Sequence, residues 1–577
     1  MKKKLLPALI VTGLIILVVI IMGITALINK YTPTKKTEDL KEYFNISSDD
    51  EAALIVNNEL SDYKAKIIDK KIYVDYKFVH DSLNSRFYWD ANENVLLYTT
   101  ASDIISAAAD SNSYSVTKQT NDFGYPIVKA TSDSALIALD YVKQYSNITF
   151  KSYDDPARIV ITSKWDEIDS ATVSKSTQVR VKGGIKSPIL KEVKKDDKIT
   201  ILDSGDKWDK VATEDGVIGY IKSKALSESK KTKLTNPDYE EETFTHIKKD
   251  KDICLAWNQV TSQSANSKVP QVISSTKGIN VMSPTWFYLN DNNGNLADIA
   301  SKDYVSYCHS QGIEVWGLFS NFENTDVDAA YVLTHTSTRT TLINQIMSAA
   351  FNYELDGVNI DFENITEAAY GDSYIEFIRE LAIKCHNNGI SLSVDVTVPA
   401  SFNKFFNRSD MANFADYIVI MGYDEHYKGS DAGSVSSIPW VTEGVESTLK
   451  EVPADQIILG MPFYTRIWEL TPKEDDDAVT DTEDQPKYTV ASQVYSMDAA
   501  AAQLATNNAT AALDEESGQN YAEWSVSNKL YKVWLEDTTS LEKRLKLVDD
   551  NKLAGAAFWK LGFENSSVWD TVIKYLN

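Results

Sequence analysis

Cysteine is nearly absent from this chain. Three occur in 577 residues, Cys254, Cys308 and Cys385, with no C-x-x-C spacing. So small and odd a set gives no disulfide framework, and the three read as small buried apolar residues. The six histidines are scattered without H-E-x-x-H or related ligand spacing, so neither a metal site nor a cofactor is expected. Positive charge is also short. Lys and Arg number 58 against 83 Asp and Glu, a net charge of −25. That balance argues against nucleic acid as a partner, because such binding rests on cationic contacts to phosphate. The acidity itself reads as a solubility feature.

What is present begins with a long apolar run. Leu5–Ile28 carries no charge and follows Lys2, Lys3 and Lys4. A helix rising 1.5 Å per residue crosses a bilayer core at that length. Lysines before it favour an orientation with the remainder of the chain outside the cytoplasm. No A-x-A cleavage pattern stands out, so residues 1–30 are read as a single-pass membrane anchor, with a cleaved signal peptide and a secreted product as the alternative.

The chain is too long for one hydrophobic core, and two to four domains are expected. Residues 31–40 are polar and read as a stalk. Residues 41–165 hold short alternating runs such as KIIDKKIYVDYKFV and FYWDANENVLLYTT, with one helical stretch, SDSALIALDYVKQY. This is the pattern of a small α+β domain, and it weakly resembles the N-terminal domain of copper amine oxidases. Residues 168–226 alternate short strands with Gly and Asp turns, as a small β-barrel does. Val179, Arg180, Trp208, Val211, Gly219 and Tyr220 resemble the bacterial SH3-like (SH3b) pattern. That resemblance implies affinity for the cell wall; Trp208 and Tyr220 read equally as core residues. Residues 227–248 are charged and breaker-rich, as a linker is.

From 249 to 577 the text changes. Eight short apolar runs (DICLAWN, GINVMSP, IEVWGLF, LDGVNIDFE, ISLSVDVTV, DYIVIMGYD, IILGMPFY and GAAFWKL) alternate with helical stretches. The fold class is therefore α/β, a (β/α)8 TIM barrel preceded by the two small domains and the helix. A doubly wound open sheet is the runner-up. It calls for a Gly-rich phosphate loop after the first strand, and AWNQVTSQ is not one.

The fourth run ends in Asn359, Asp361 and Glu363. Alternation puts the three on one face, with Asp361 and Glu363 about 6–7 Å apart at Cα, while Ile360 and Phe362 face the helix layer. Two acids that close cannot both ionise freely, so one is held protonated as a general acid must be.

D-G-V-N-I-D-F-E resembles the D-G-x-D-x-D-x-E signature of glycoside hydrolase family 18, the chitinase-like hydrolases. Met421-Gly422-Tyr423-Asp424 resembles the family's M-x-Y-D. Gly460 to Trp468 resembles its G-x-P-x-Y-G-R-x-W, and Phe558-Trp559 its tryptophan-bearing eighth strand. The resemblance covers roughly residues 245–577. It implies a retaining mechanism in which the substrate's 2-acetamido oxygen is the nucleophile. Glu363 would be the general acid and then the base, and Asp361 would orient the acetamido group. Tyr423 and Asp424 would hydrogen-bond that group or its neighbours, next to Met421, and Trp559 would floor the −1 sugar. Asn359 stands where the family usually has Asp, which puts the usual proton relay in doubt. It fits the spore-cortex and wall-lytic branch.

Trp257, Trp286, Tyr427, Tyr464, Trp468 and Trp534 are further candidates for stacking on sugar, and Arg466 for binding glycan hydroxyls or pairing with a barrel acid. Glu474–Asp484 reads as a solvated loop. The expected function is hydrolysis of β-1,4 bonds next to N-acetylglucosamine in peptidoglycan by a surface-anchored enzyme, with the wall engaged through the SH3b-like module. The alternatives are a chitinase or chito-oligosaccharide hydrolase, and an inactive glycan-binding wall protein.

Overall fold

A computed structural model describes residues 2–363, 365, 370–473 and 488–576. The loop expected at 474–484 lies outside the described residues. The chain divides into two compact units. One comprises residues 1–89, 107–114 and 121–241, the other residues 90–106, 115–120 and 242–577.

The first unit opens with the helix Lys2–Tyr31, whose segment Pro7–Tyr31 is long and apolar enough to cross a membrane. The polar residues after it are not a free stalk. Thr34 N–H donates to Ile185 O and Glu38 N–H to Ile189 O, while Ile189 N–H donates to Lys36 O. They supply backbone partners to Ile189, the first residue of the edge strand Ile189–Val193. Two seven-stranded sheets follow. In the first, the expected helix SDSALIALDYVKQY is half strand: Ala135–Ala138 pairs with Lys71–Asp75, and only Leu139–Gln144 is helical. Sheet pairing overrides helical propensity there. In the second, Val179 and Val211 are buried, and a Cβ on Gly219 would stand 2.6 Å from Arg180 O. Trp208 and Tyr220 are half-buried. Part of the expected linker, Lys230–Lys233, pairs with Glu167–Ser170. One core cluster contains Ala53 and Ile55 together with Val179, Val211 and Ile221, so both sheets share apolar packing.

The second unit is built on eight parallel strands: β1 (Ile253–Asn258), β2 (Val281–Leu289), β3 (Glu314–Ser320), β4 (Gly357–Asp361), β5 (Ser391–Thr397), β6 (Tyr417–Met421), β7 (Ile457–Pro462) and β8 (Gly555–Trp559). Each pairs with the next, and β8 pairs with β1, so the sheet closes into a barrel. All eight expected runs are strands. Alternation sorts their side chains. Leu255, Trp257, Trp316, Leu318, Val419 and Ile458 fill the barrel, while Ala256, Val358, Ile360, Leu392 and Ile420 pack under the helices. The three cysteines are free and buried in that outer layer. Gly555 is required where β8 starts: its φ is +154°, and a Cβ would stand 2.0 Å from Ile253 O.

Between β7 and β8 the chain forms a five-stranded sheet, including Tyr464–Pro472, Tyr488–Ser496, Gln519–Val526 and Lys529–Leu535. A fully buried ion pair ties its end to the barrel. Arg544 Nη1 and Nη2 donate to Glu536 Oε2 and Oε1 at 2.7 and 2.9 Å, and Nη2 also reaches Ser436 O. Glu536 further accepts from Gln519 Nε2 and Ser540 Oγ, both at 2.8 Å. Burial pushes the Glu536 carboxyl up, and Arg544 opposes that. Removing one partner strands a buried charge, whereas removing both does not. Arg544→Ala should therefore cost about 3–5 kcal/mol in denaturant unfolding, and Arg544→Met with Glu536→Leu distinctly less.

Candidate active site

The carboxyl ends of β4, β5 and β6 deliver the chemistry-bearing groups to a cleft of about 600 Å³. Asp361 ends β4, and Glu363 lies two residues beyond. Asp395 comes from β5, Met421 ends β6, and Tyr423 and Asp424 follow it; Asp424 has φ +62°. Trp257 of β1 and Trp559 of β8 complete the floor. Their rings meet edge to face at 6.0 Å, and Trp257 meets Tyr423 likewise at 6.5 Å. Glu323, Phe322, Phe402 and Tyr427 stand around the rim, with Phe402 and Tyr427 exposed.

Asn359 lies beneath this floor, fully buried, and all four hydrogen bonds of its amide are made. Trp257 Nε1 and Ser283 Oγ donate to Oδ1, each at 2.9 Å. Nδ2 donates to Ser393 Oγ at 3.1 Å and to Asp395 Oδ1 at 2.7 Å. The indole is a donor only, so it fixes the amide with its oxygen toward Trp257 and its NH2 toward Asp395.

The cluster is acidic and has no cation in its floor among the described residues that line it. Asp361 is buried, and its Oδ1 has no hydrogen-bond partner among the described residues. Burial pushes its carboxyl well above the usual range, and the charges of Asp395, Glu363 and Glu323 push further. Asp395 is raised by burial and by Glu363, with the Asn359 N–H working against them. Glu363 is exposed on the open side of the cleft but crowded by protein on the other. Its carboxyl is raised by that desolvation, then by Asp424 and Glu323.

Most of the expected residues converge here: Asp361, Glu363, Met421, Tyr423, Asp424, Trp257, Trp559 and Tyr427 all line the cleft. Tyr464 and Arg466 stand behind it. Tyr464 Oη donates to Asp424 Oδ1 at 2.5 Å, and Arg466 Nη2 lies 3.9 Å from the same oxygen, so both orient Asp424. Three expected aromatics are elsewhere. Trp286 is buried against Tyr304 and donates to Asn266, and Trp468 is buried and donates to Gly433 O. Trp534 pairs with Tyr521 in the inserted sheet. Large rings fill cores more often than clefts, and position along a strand decides which. Asp395 and Glu323 were missed. The polar alternation Ser391, Ser393, Asp395 inside an apolar strand was the available signal for the first. For Glu323, in a loop, there was none.

Residues 316–564 match the family model described as glycosyl hydrolases family 18. Over those residues the C-terminal barrel is similar to glycoside hydrolase family 18. Among curated relatives, an uncharacterized glycosylase, YvbX, of Bacillus subtilis is 24% identical over 300 residues, 49% of this chain and 81% of its own. A cortical fragment-lytic enzyme of Bacillus subtilis is 24% identical over 287 residues, 48% of this chain and 63% of its own, so the match leaves over a third of that relative unspanned. The crystal structure of the Bacillus megaterium spore cortex-lytic enzyme SleL superposes with a TM-score of 0.48 at 19% identity, covering 60% of this chain and 77% of that one. The family 18 barrel places this chain among glycosidases.

The buried acids carry a stability signature. Burial raises the folded-state pKa of Asp361, so the folded protein holds that proton more tightly than the unfolded chain does. The carboxyl therefore costs stability once the pH exceeds the unfolded value, near 4. Asp361→Asn removes that cost. Its melting temperature should exceed the wild type's by about 2–4 °C at pH 7, and the gain should vanish below about pH 4.

Proposed function

We propose that this protein is a surface-anchored hydrolase cleaving β-1,4 bonds next to N-acetylglucosamine in peptidoglycan, with retention and with the substrate's acetamido group as nucleophile. The observation that carries this reading is the placement of Asp361 and Glu363. They leave one strand end on one side of the cleft, which is unsuitable for an acid and a nucleophile flanking a bond. The resemblance to family 18 supplies the alternative, a 2-acetamido oxygen on the sugar as nucleophile.

Glu363, whose carboxyl is raised by burial and by Asp424 and Glu323 and which is open to the cleft, gives its proton to the leaving oxygen. The acetamido oxygen attacks the anomeric carbon as that bond breaks. Asp361, ionised, faces the acetamido N–H and the positive charge of the oxazolinium ion. Tyr423, whose hydroxyl is pushed up by burial, stays a neutral donor to the acetamido oxygen. Asp424, braced by Tyr464 and Arg466, takes hydrogen bonds from the sugar. Trp559 and Trp257 supply the apolar floor. Glu363, now ionised, draws a proton from the water that opens the oxazolinium ring, which restores both acid and sugar.

Peptidoglycan is favoured over chitin because relatives named as cortical fragment-lytic enzymes match over much of the barrel. The helix Pro7–Tyr31 would hold the barrel at the membrane. The sheet containing Trp208 and Tyr220 would add wall affinity.

Glu363→Gln should lower the release of reducing ends from purified peptidoglycan by about 1,000-fold while leaving glycan binding intact. A thiazoline mimic of the oxazolinium ion should inhibit the wild type. Equal or greater turnover on chitin oligomers would assign the substrate to chitin instead.

A further inference from the structure

The family signature has an acid at position 359, and this chain has an amide there. Asn359 has no acid proton to give or take, and its four hydrogen bonds are already made. Yet Asp361 must lose a proton to face a cation and regain it afterwards, in a floor with no basic side chain among the described residues. Asp395 is the other buried carboxyl lining that floor, contributed by the next strand. Its Oδ1 is pinned by the Asn359 N–H at 2.7 Å, which leaves Oδ2 as the oxygen able to carry a proton.

We propose that Asp395 is the proton-holding partner of Asp361, so that the role usually given to a carboxyl on β4 has moved to β5. Resting on the substrate-assisted reading above, the step is balanced. Protonated Asp361 and ionised Asp395 become ionised Asp361 and protonated Asp395, with one proton shared throughout and no net charge taken up. The reverse transfer follows release of the oxazolinium charge. Asn359 orients this exchange without joining it: its N–H can be given only to a lone pair, so the mobile proton is kept to Oδ2. The groups whose charge bears on the exchange are Asp361 and Glu363 from the β4 end, Glu323 from the loop after β3, Tyr423 after β6 and Tyr374 from the helix Gly371–His386. None of them supplies positive charge.

The test uses the full chain on peptidoglycan, with Glu363→Gln as the control for the reaction itself. Asp395→Asn keeps an oxygen for the Asn359 N–H. We expect kcat to fall about 100-fold at pH 7 with KM little changed, and to recover in part as the pH rises, because the Asp361 proton must then leave to solvent. The exchanged pair, Asn359→Asp with Asp395→Asn, returns an acid to the neighbourhood of Asp361 and should recover at least about tenfold of the loss. A folded Asp395→Asn enzyme with unchanged kcat and pH profile overturns the inference. So does a loss that the exchanged pair does not repair, since that marks a structural role. Should Asp395→Asn fail to fold, Asn359→Asp alone answers the question. A second carboxylate against Asp395 should move the acid limb of kcat upward by about one pH unit, and an unmoved limb overturns the proposal. Wild-type protein without glycosidase activity would sink the functional reading instead.

Discussion

The site depends on one electrostatic constraint: several carboxyls share a partly buried floor with no cation among the described residues that line it. In a barrel this follows from topology. The strands run parallel, so their carboxyl ends meet at one mouth, and alternation points residues 359, 361 and 395 inward. Water is largely excluded there, so each acid resists ionisation and each ionised acid resists the next.

The amide of Asn359 makes this crowding tolerable. A third carboxyl would have to share protons with Asp395 while also accepting from Trp257 and Ser283. An amide accepts on one side and donates on the other, so it joins the indole of β1 to the carboxyl of β5 without adding charge. The residue that breaks the family signature is thus the best-satisfied polar side chain in the floor. Asp361, which keeps the signature, is the one with an unpartnered oxygen.

Much of the barrel was legible in the sequence, because parallel strands buried on both faces read as near-continuous apolar runs. The catalytic strand was legible for the opposite reason: acids interrupt one such run where their burial is costly. Asp395 escaped because a single acid on β5 has no partner in sequence; its partner is Asn359, distant in the chain and adjacent across strands. Trp286 and Trp468 misled for a related reason. A tryptophan near a strand end serves either core or cleft, and the choice rests on neighbours such as Asn266 and Gly433 that no local pattern marks. Residues 135–138 show the limit of propensity, since an Ala-Leu-Ile-Ala stretch that suits a helix is captured by a neighbouring strand.

Support for the cleft extends well behind its lining. Ser436 Oγ donates to Gly422 O at 2.5 Å, beside Tyr423, and Ser436 O accepts from Arg544. Arg544 is in turn held by Glu536 at the end of the inserted sheet. Tyr464 and Arg466, at the start of the same insert, brace Asp424. The insert between β7 and β8 is therefore mechanically joined to the β6 loop that carries two cleft-lining residues. A glycan that displaced the insert would be felt at Tyr423 and Asp424 through these bonds. That linkage lets the insert fix the positions of Tyr423 and Asp424 even though Trp468 and Trp534 stand away from the cleft.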